Sequence, residues 1–225
     1  MDDPELDPAL HAEALAGLSR INLFSGSARM LWPPLCEAAR RKDAGHTPLR
    51  VLDVATGGGD LPVRLWKHAR RAGIQMDIAA CDASEVALTF ARKRAAAVAA
   101  DVRFFPFDLL SDTELTGEYD VVCCSLFLHH LKEDDACRVL QRLAHVTRDS
   151  LLVNDLLRNP SGLLLAAVAP RLLTRSPVVH YDATRSVHSA FTEREARALA
   201  ERAGLHNARF TRHWPCRYLL SWRRL

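Results

Sequence analysis

Acidic side chains stand at the ends of three successive apolar runs in the first half of the chain. Asp53 lies in the first run, next to a glycine-rich turn, Asp82 follows the second run and Asp108 follows the third. In an open α/β sheet a ligand binds beyond the carboxyl ends of the strands. A strand-end carboxylate needs a donor or water to satisfy it, so three of them favour a ligand site over packing alone. Two later runs end at Ser125 and at Asn154-Asp155, which we expect at the same edge.

The turn after the first run is Thr56-Gly57-Gly58-Gly59. Glycines let a backbone approach a ligand where any Cβ would collide, so the turn is a candidate for nucleotide binding. A pyrophosphate fingerprint would need a third glycine where Pro62 stands, and the Gly-Lys-Ser/Thr of a P-loop is missing. Taken alone, the turn fits either a ligand site or a purely structural strand-to-helix connection.

The elements that must position these residues alternate between apolar runs and helical stretches. The runs cover 49–55, 76–81, 102–107, 119–125 and 150–153. Helices are predicted over 60–71, closed by Gly73, over 84–99, with Ser84 as N-cap, and over 133–146. Strands that alternate with helices indicate right-handed β-α-β units and a mostly parallel sheet. Continuous apolar runs fit strands that are buried on both faces, so the fold class is α/β.

The two ends of the chain carry different signals. Residues 9–41 are predicted to be helical, with a turn at 22–27 and a break at Trp32-Pro33-Pro34. Near the other end, a capping box at Thr192–Glu195 opens a last helix that stops at Gly204.

Two further runs, 207–214 and 217–222, are separated only by Pro215-Cys216 and predict a closing antiparallel hairpin. The chain contains no internal repeat and no low-complexity linker, so we expect one domain over residues 1–225.

In this order and spacing, the motifs resemble those of class I S-adenosylmethionine-dependent methyltransferases. Asp53-x-Ala55-x-Gly57-x-Gly59 is similar to the family's D/E-x-G-x-G-x-G turn, with Ala55 in place of the first glycine. Asp82 matches the acidic residue that holds the ribose hydroxyls, a task that suits a carboxylate because it accepts two hydrogen bonds. The Ala55 methyl group is a small departure that crowds the methionine end of the cofactor slightly.

Two more motifs extend the resemblance to about residues 49–155. Asp108-Leu109 matches the pair at which an aspartate accepts from the adenine amino group. Residues 119–122 and 125–131 resemble the family's fourth motif. A nicotinamide dehydrogenase could use Asp82 in the same way. That alternative leaves Asp108 without a role, and it requires the third glycine, which this sequence lacks.

The resemblance implies a Rossmann-like, seven-stranded, mostly parallel sheet in the order 3-2-1-4-5-7-6, with the last strand antiparallel and helices on both faces. It divides the single domain into an N-terminal helical cap (1–48), a cofactor-binding core (49–155), an acceptor lid (156–190), and a closing helix with hairpin (191–225). The residues expected to hold S-adenosylmethionine are Arg29, Asp53, Ala55, Thr56, Gly57, Gly58, Asp82, Ala83, Asp108, Leu109 and Ser125.

Methyl transfer to a phenol or alcohol also needs a base, and histidine is the usual group. Of the adjacent His129 and His130, which follow the fourth run, we expect His130 to face the pocket. The alternative is a histidine that only shapes the cofactor wall. Asp155 is a second candidate, as a base, as a residue that orients a histidine, or as a helix N-cap. His180, in the lid segment, is the third.

The lid segment suggests the chemistry of the acceptor. It combines the apolar run 163–169 with His180, Tyr181 and His188, which suits a flat, apolar molecule that carries a hydroxyl group. We therefore expect O-methylation of a phenol, a quinone precursor or a polyketide. C-methylation of a similar acceptor and a non-catalytic cofactor-binding protein remain open alternatives.

A nucleic-acid methyltransferase is the remaining alternative. Residues 171–225 carry 11 basic against 4 acidic side chains, but the arginines are scattered among apolar residues, which favours a solvated face. Ser125-Leu126-Phe127-Leu128 is not the Asn/Asp-Pro-Pro-aromatic motif of amino-group methylation, and Pro215-Cys216 lies far from the site. We expect no nucleic-acid partner.

Composition excludes several broad classes. A hydrophobic fraction of 48%, an aromatic fraction of 7% and a net charge of +3 argue against disorder. Six cysteines without any C-x-x-C spacing predict neither a bound metal nor a disulfide framework. The acidic start and the short apolar runs predict no signal peptide and no stable membrane insertion. We expect a cytoplasmic monomer or homodimer that acts on a small molecule.

Overall fold

A computed structural model describes residues 26–42, 47–173 and 184–224. Helices and strands alternate along these residues, and a short helical segment covers 184–189. The elements are α1 (Ser27–Arg41), β1 (Leu49–Val54), α2 (Asp60–Ala72), β2 (Met76–Asp82), α3 (Glu85–Ala96), β3 (Arg103–Pro106), β4 (Tyr119–Ser125), a 3-10 turn (Leu128–His130), α4 (Glu133–Val146), β5 (Thr147–Leu156), α5 (Pro160–Leu173), α6 (Glu193–Arg202), β6 (Arg209–His213) and β7 (Arg217–Arg223).

The described strands form one seven-stranded sheet in the order β3-β2-β1-β4-β5-β7-β6. Strands β1 to β5 are parallel, while β7 runs antiparallel to both β5 and β6. This confirms the expected strand order and the closing hairpin. The order reverses between β1 and β4, where Asp53 lies beside Cys123, so the switch point adjoins the glycine-rich turn.

Helices cover both faces of the sheet, as continuous apolar strands require. On one face α4 and α6 pack on side chains such as Val54, Val122 and Val153. On the other face α1 and α2 pack on Val51, Val121 and Leu152, among others. Adjacent residues of one strand therefore serve two separate cores, and the polar groups at the strand ends are likewise divided between the two faces.

Local signals placed most helix ends correctly. The Ser84 hydroxyl accepts from the Ala87 amide and caps α3. Gly73 closes α2 in the left-handed conformation. Thr192 and Glu195 form the complete predicted capping box at the start of α6. Each of these signals depends on residues within one turn of the helix end, which is why the sequence alone predicts them.

The predicted helix break at Trp32-Pro33-Pro34 is wrong, because α1 continues through both prolines. The prolines lack the N–H groups that would bond to the Arg29 and Met30 carbonyl oxygens. Burial of one helix face offsets this loss, since Leu31 and Leu35 are fully enclosed in the core beneath α1. The earlier part of the predicted helical region, residues 9–25, lies outside the described residues.

Strand β5 is longer than the predicted run at 150–153. It extends over Thr147–Leu156, because pairing with β7 continues from Ser150 to Leu156. Asp155 therefore lies within the strand and is not a helix N-cap. The third strand is shorter than predicted, since β3 covers only Arg103–Pro106.

Among the described residues no helix is long and apolar enough to cross a membrane. The same residues contain no group of three or more His, Cys, Asp or Glu side chains that could hold a metal ion. All six cysteines fall within the described ranges and are free thiols.

Gly59 is the residue of the glycine-rich turn that the packing requires. Its φ is +72°, and an added Cβ would lie 2.7 Å from the Ala91 Cβ of α3. We expect Gly59→Ala to lower the free energy of unfolding by about 2 kcal/mol, because it combines backbone strain with a steric clash. Gly73→Ala is the matched control, since Gly73 has a φ of +67° with nothing near its Cβ position. Urea denaturation should show the smaller loss for Gly73→Ala, and equal losses would contradict the clash.

Candidate cofactor and active site

The glycine-rich turn connects β1 to α2 in a conformation that borders open space. Ala55 and Gly57 have φ values of +51° and +54°. The Thr56 hydroxyl donates to Asp53 Oδ2 over 2.6 Å, and the Thr56 amide donates to the Cys81 carbonyl. An added Cβ at Gly57 or Gly58 would meet nothing within 4 Å. The turn therefore leaves room for a ligand beside its backbone.

Ala55 occupies the position at which the related motif has its first glycine. Its backbone is in the left-handed conformation, which is about 1 to 2 kcal/mol less favourable for a residue with a Cβ than for glycine. The sequence predicts only mild crowding of the cofactor by the Ala55 methyl group. The structure shows, in addition, that the backbone of Ala55 is in a strained conformation.

Asp82 joins the glycine-rich turn to the start of α3. Its Oδ2 accepts from the Gly57 amide over 2.7 Å, and its Oδ1 accepts from the Ser84 amide over 2.9 Å. The side chain is half-buried, and Ala83 beside it is exposed. Each carboxylate oxygen has a further lone pair, so Asp82 can also accept from two hydroxyl groups of a ligand.

Asp108 lies at the neighbouring strand end, two residues beyond β3. Asp82 pairs with Pro106, and the Phe107 amide donates to the Asp82 carbonyl oxygen. Asp108 is exposed and its Oδ1 accepts from the Leu110 amide over 2.8 Å, whereas the Leu109 side chain is buried. The two carboxylates that the sequence placed at adjacent strand ends are thus at one edge of the sheet.

Asp53 faces the core beneath α1 and α2 and is only 1% exposed. Its Oδ1 has no hydrogen-bond partner among the residues that the structure describes. Burial raises the pKa of Asp53 to about 7. The hydrogen bond from Thr56 lowers this pKa, and the nearby charge of Asp82 raises it further. An orphaned acceptor beside an open turn fits a cofactor that carries positive charge and donor groups.

The raised pKa of Asp53 predicts a pH-dependent stability. The folded state binds this proton more tightly than the unfolded chain, whose aspartate keeps its ordinary pKa of 3.8. Stability therefore falls as pH rises through 7, by about 1 to 2 kcal/mol between about pH 5.5 and about pH 8. Asp53→Asn keeps an acceptor for Thr56 but cannot ionise, so it should lose this part of the dependence. Urea denaturation of both proteins at the two pH values checks this, and parallel curves would contradict it.

A second polar group lies where β4 and β5 end. The Asn154 amide nitrogen donates to Ser125 Oγ over 2.9 Å, and the Asn154 side-chain oxygen is buried with no partner in the described part of the chain. Leu126 follows Ser125 with a φ of +57°. Sequence reasoning placed Asn154 at a strand end but not in the site. The signal available was a polar residue inside an otherwise apolar strand.

Asp155 points to the opposite sheet face and contacts His129. A hydrogen bond of 2.6 Å connects His129 Nδ1 and Asp155 Oδ1, and the His129 backbone amide donates to Asp155 Oδ2 over 3.3 Å. His129 is 5% exposed and Asp155 is 1% exposed, so neither faces open space. Asp155 therefore cannot reach an acceptor as a base without rearrangement of the surrounding residues. Its other expected role, orienting a histidine, agrees with this contact.

His130 occupies a different environment from its neighbour. It is exposed at the end of the 3-10 turn, and its ring centroid lies 4.0 Å from that of His129. The pair thus consists of a buried histidine held by a carboxylate and an accessible histidine packed against it. Only the accessible one can meet an acceptor without rearrangement.

Arg217 adds a buried cation near Asp155 that the sequence analysis did not identify. It is 1% exposed, and burial lowers its pKa to about 10 although the Asp155 charge raises it. Burial alone would raise the pKa of Asp155, but His129 and Arg217 hold it below its ordinary value. The sequence feature that could have indicated this buried cation is a charged residue at the start of the otherwise apolar run 217–222.

The remaining predicted site residues are more dispersed. Arg29 lies exposed in the first turn of α1. His188 is exposed in the helical segment 184–189. His180 and Tyr181 lie outside the described residues, so the lid histidine stays a prediction.

Relatives with similar sequences are named as methyltransferases. The family described as "Methyltransferase domain" matches residues 51–150. A ubiquinone biosynthesis O-methyltransferase of Bordetella bronchiseptica is 34% identical over 164 residues, which are 69% of this chain and 61% of that protein. A demethylmenaquinone methyltransferase of Deinococcus radiodurans is 35% identical over 88 residues, 39% of this chain and 35% of that protein. The chain thus matches less than two thirds of either relative's length.

Solved structures share the fold at lower identity. Magnesium protoporphyrin IX methyltransferase from Synechocystis PCC 6803, with bound S-adenosylhomocysteine, has a TM-score of 0.61 at 18% identity and covers 89% of this chain and 84% of that chain. The mitomycin 7-O-methyltransferase has a TM-score of 0.58 at 21% identity, covering 85% and 54%. These likenesses to solved structures show the fold, in agreement with the strand order, and the sequence match identifies residues 51–150 as a methyltransferase domain.

Proposed function

We propose that this protein transfers a methyl group from S-adenosylmethionine to a small, largely apolar acceptor with a hydroxyl group. The observation that carries the proposal is the Asp82 carboxylate, which bridges the Gly57 and Ser84 amides beside an open glycine turn. The cofactor supplies a methyl group activated by its sulfonium centre, so the protein's main tasks are alignment and the exclusion of water.

The described residues divide the task of holding the cofactor. Asp82 would accept from the ribose hydroxyls and Asp108 from the adenine amino group. Gly57 and Gly58 would let the methionine part pass close to the backbone. Arg29 would pair with the cofactor carboxylate, for which a guanidinium offers two parallel donors.

We assign the general base to His130. It is exposed, it follows the fourth strand at the edge that carries the turn, and it packs on His129. Asp155 holds His129 through both its ring and its amide, so it acts as a positioning residue for the histidine pair. His130 would take the hydroxyl proton as the acceptor oxygen attacks the methyl group.

The apolar surface beyond β5 supports the class of acceptor. Leu164 of α5 is 69% exposed and Leu165 is 36% exposed. The names of the two sequence relatives point to quinones or their precursors as the acceptor type. We propose that the cap at 1–48 and the lid at 156–190 select the acceptor, while 49–155 holds the cofactor.

Binding and turnover test this proposal separately. Calorimetry should show S-adenosylhomocysteine binding to the full chain, and its absence would remove the basis of the proposal. A screen with labelled cofactor should find transfer to hydroquinones, catechols or phenols. Transfer confined to RNA or protein would contradict the acceptor class, and a product methylated at carbon would replace O-methylation by C-methylation. His130→Ala should lower kcat about 100-fold or more, whereas the exposed His206→Ala should not.

A further inference from the structure

Arg142 of α4 fastens the loop that follows β3. Its Nη1 donates to the Leu109 carbonyl oxygen over 2.9 Å and also to the Ser111 carbonyl oxygen, while Nη2 donates to the Thr113 carbonyl oxygen. The guanidinium carbon lies 5.7 Å from the centroid of the Phe107 ring. One half-buried side chain thus contacts the loop at four of its residues.

This loop, residues 107–113, carries Asp108 and has no regular secondary structure to hold it. Its internal hydrogen bonds are short-range, from the Leu110 amide to Asp108 Oδ1 and from the Ser111 amide to the Asp108 carbonyl oxygen. Such turns constrain the loop locally. The Phe107 amide, which donates to the Asp82 carbonyl oxygen, and the buried Leu109 side chain attach the start of the loop to the core. Arg142 adds contacts that continue to Thr113, and its helix α4 packs firmly on the sheet.

The chemistry of arginine suits this role. A guanidinium has five N–H donors in a rigid plane and can serve three carbonyl oxygens while its face lies near an aromatic ring. A lysine ammonium at the same position retains the charge but not the planar fork. Leu109 follows Asp108 directly, so fixing the Leu109 carbonyl oxygen also limits the rotation of the Asp108 backbone.

We propose that Arg142 is a positioning residue that holds Asp108 in place to recognise the adenine of the cofactor. The loop would then discriminate adenine from a base that lacks its amino group. This inference rests on the proposed function, because it takes an adenine nucleoside as the ligand beside Asp108.

Calorimetry on the full chain with two ligands provides the test. S-adenosylhomocysteine carries the adenine amino group, and S-inosylhomocysteine carries a carbonyl oxygen in its place. For Arg142→Ala we expect the Kd for S-adenosylhomocysteine to rise about tenfold and the preference over the inosine analogue to fall by a similar factor. Loss of stability alone would not change that preference in the folded protein. Arg142→Lys should give an intermediate result and serves if the alanine variant does not fold.

Arg138→Ala is the matched control. Arg138 lies one turn earlier on α4, and its guanidinium pairs with Asp135 on the exposed side of the helix. Arg138 also interacts electrostatically with Asp112 of the loop. Its replacement by alanine therefore changes the charge near the loop but leaves the contacts of Arg142 intact. Wild-type affinity and preference in the folded Arg142 variant, or equal losses in both variants, would overturn the inference. Failure of the wild-type protein to bind S-adenosylhomocysteine would instead overturn the proposed function.

Discussion

Replacing Asp155 with alanine is expected to lower the free energy of unfolding by about 3 to 5 kcal/mol, one of the largest effects of any single change in this protein. The substitution leaves His129 buried without the acceptor of its ring and of its amide. It also removes the negative charge that offsets the buried Arg217. Removing one member of such a group destabilises the folded state strongly, because the remaining polar groups are buried away from water and lose their partner.

Asp149→Ala is the control for this prediction. Asp149 lies in the same strand and pairs with Arg41 and Arg223, but its side chain is 26% exposed. Screening by water limits such a surface pair to about 1 kcal/mol. Urea denaturation at neutral pH should therefore separate the two variants clearly. Equal losses would show that the His129–Asp155 contact contributes no more than a surface ion pair.

The same carboxylate predicts an acid-dependent loss of stability. The pKa of Asp155 in the folded protein is below its ordinary value of 3.8. Its stabilising contribution is therefore complete above that value and is lost as pH falls through the lower, folded-state pKa. The stability advantage of the wild type over Asp155→Asn should therefore shrink as pH falls below about 4, and urea denaturation of both proteins at about pH 5 and about pH 3 checks this.

The features that the sequence predicts well are those set by neighbours in the chain. The caps at Ser84, Gly73 and Thr192 follow from side chains within one turn of each helix end. The carboxylates Asp82 and Asp108 were placed correctly because parallel strands end at one edge, whatever the packing around them.

The features that the sequence does not predict depend on contacts between distant residues. Helix α1 continues through two prolines because Leu31 and Leu35 are enclosed by the sheet, which no local rule contains. Adjacent histidines look alike in the sequence, and only the position of Asp155, 26 residues later, makes His129 the buried one. Arg142 stands 33 residues from the Leu109 carbonyl oxygen that it contacts, and nothing in the local pattern marks it.

Replacing Asp82 with asparagine is expected to raise the Kd for S-adenosylhomocysteine about 100-fold, the largest effect on cofactor binding. An amide side chain has only one oxygen, so one of the two backbone amides now held, at Gly57 or Ser84, would face an NH₂ group instead. Either the turn at Gly57 or the start of α3 at Ser84 would therefore lose its contact with residue 82. The ribose hydroxyls would also lose a charged acceptor in the same substitution.

Asp77→Asn separates these effects from a general loss of charge. Asp77 lies in the same strand, β2, but near its amino end, where the side chain is exposed. Calorimetry should show wild-type affinity for this control, and both variants should be folded in the absence of ligand. Full affinity in Asp82→Asn would mean that the carboxylate only shapes the turn. A large loss of affinity in both variants would instead point to long-range charge, because Asp77 and Asp82 stand at opposite ends of one strand and cannot contact the same ligand atom.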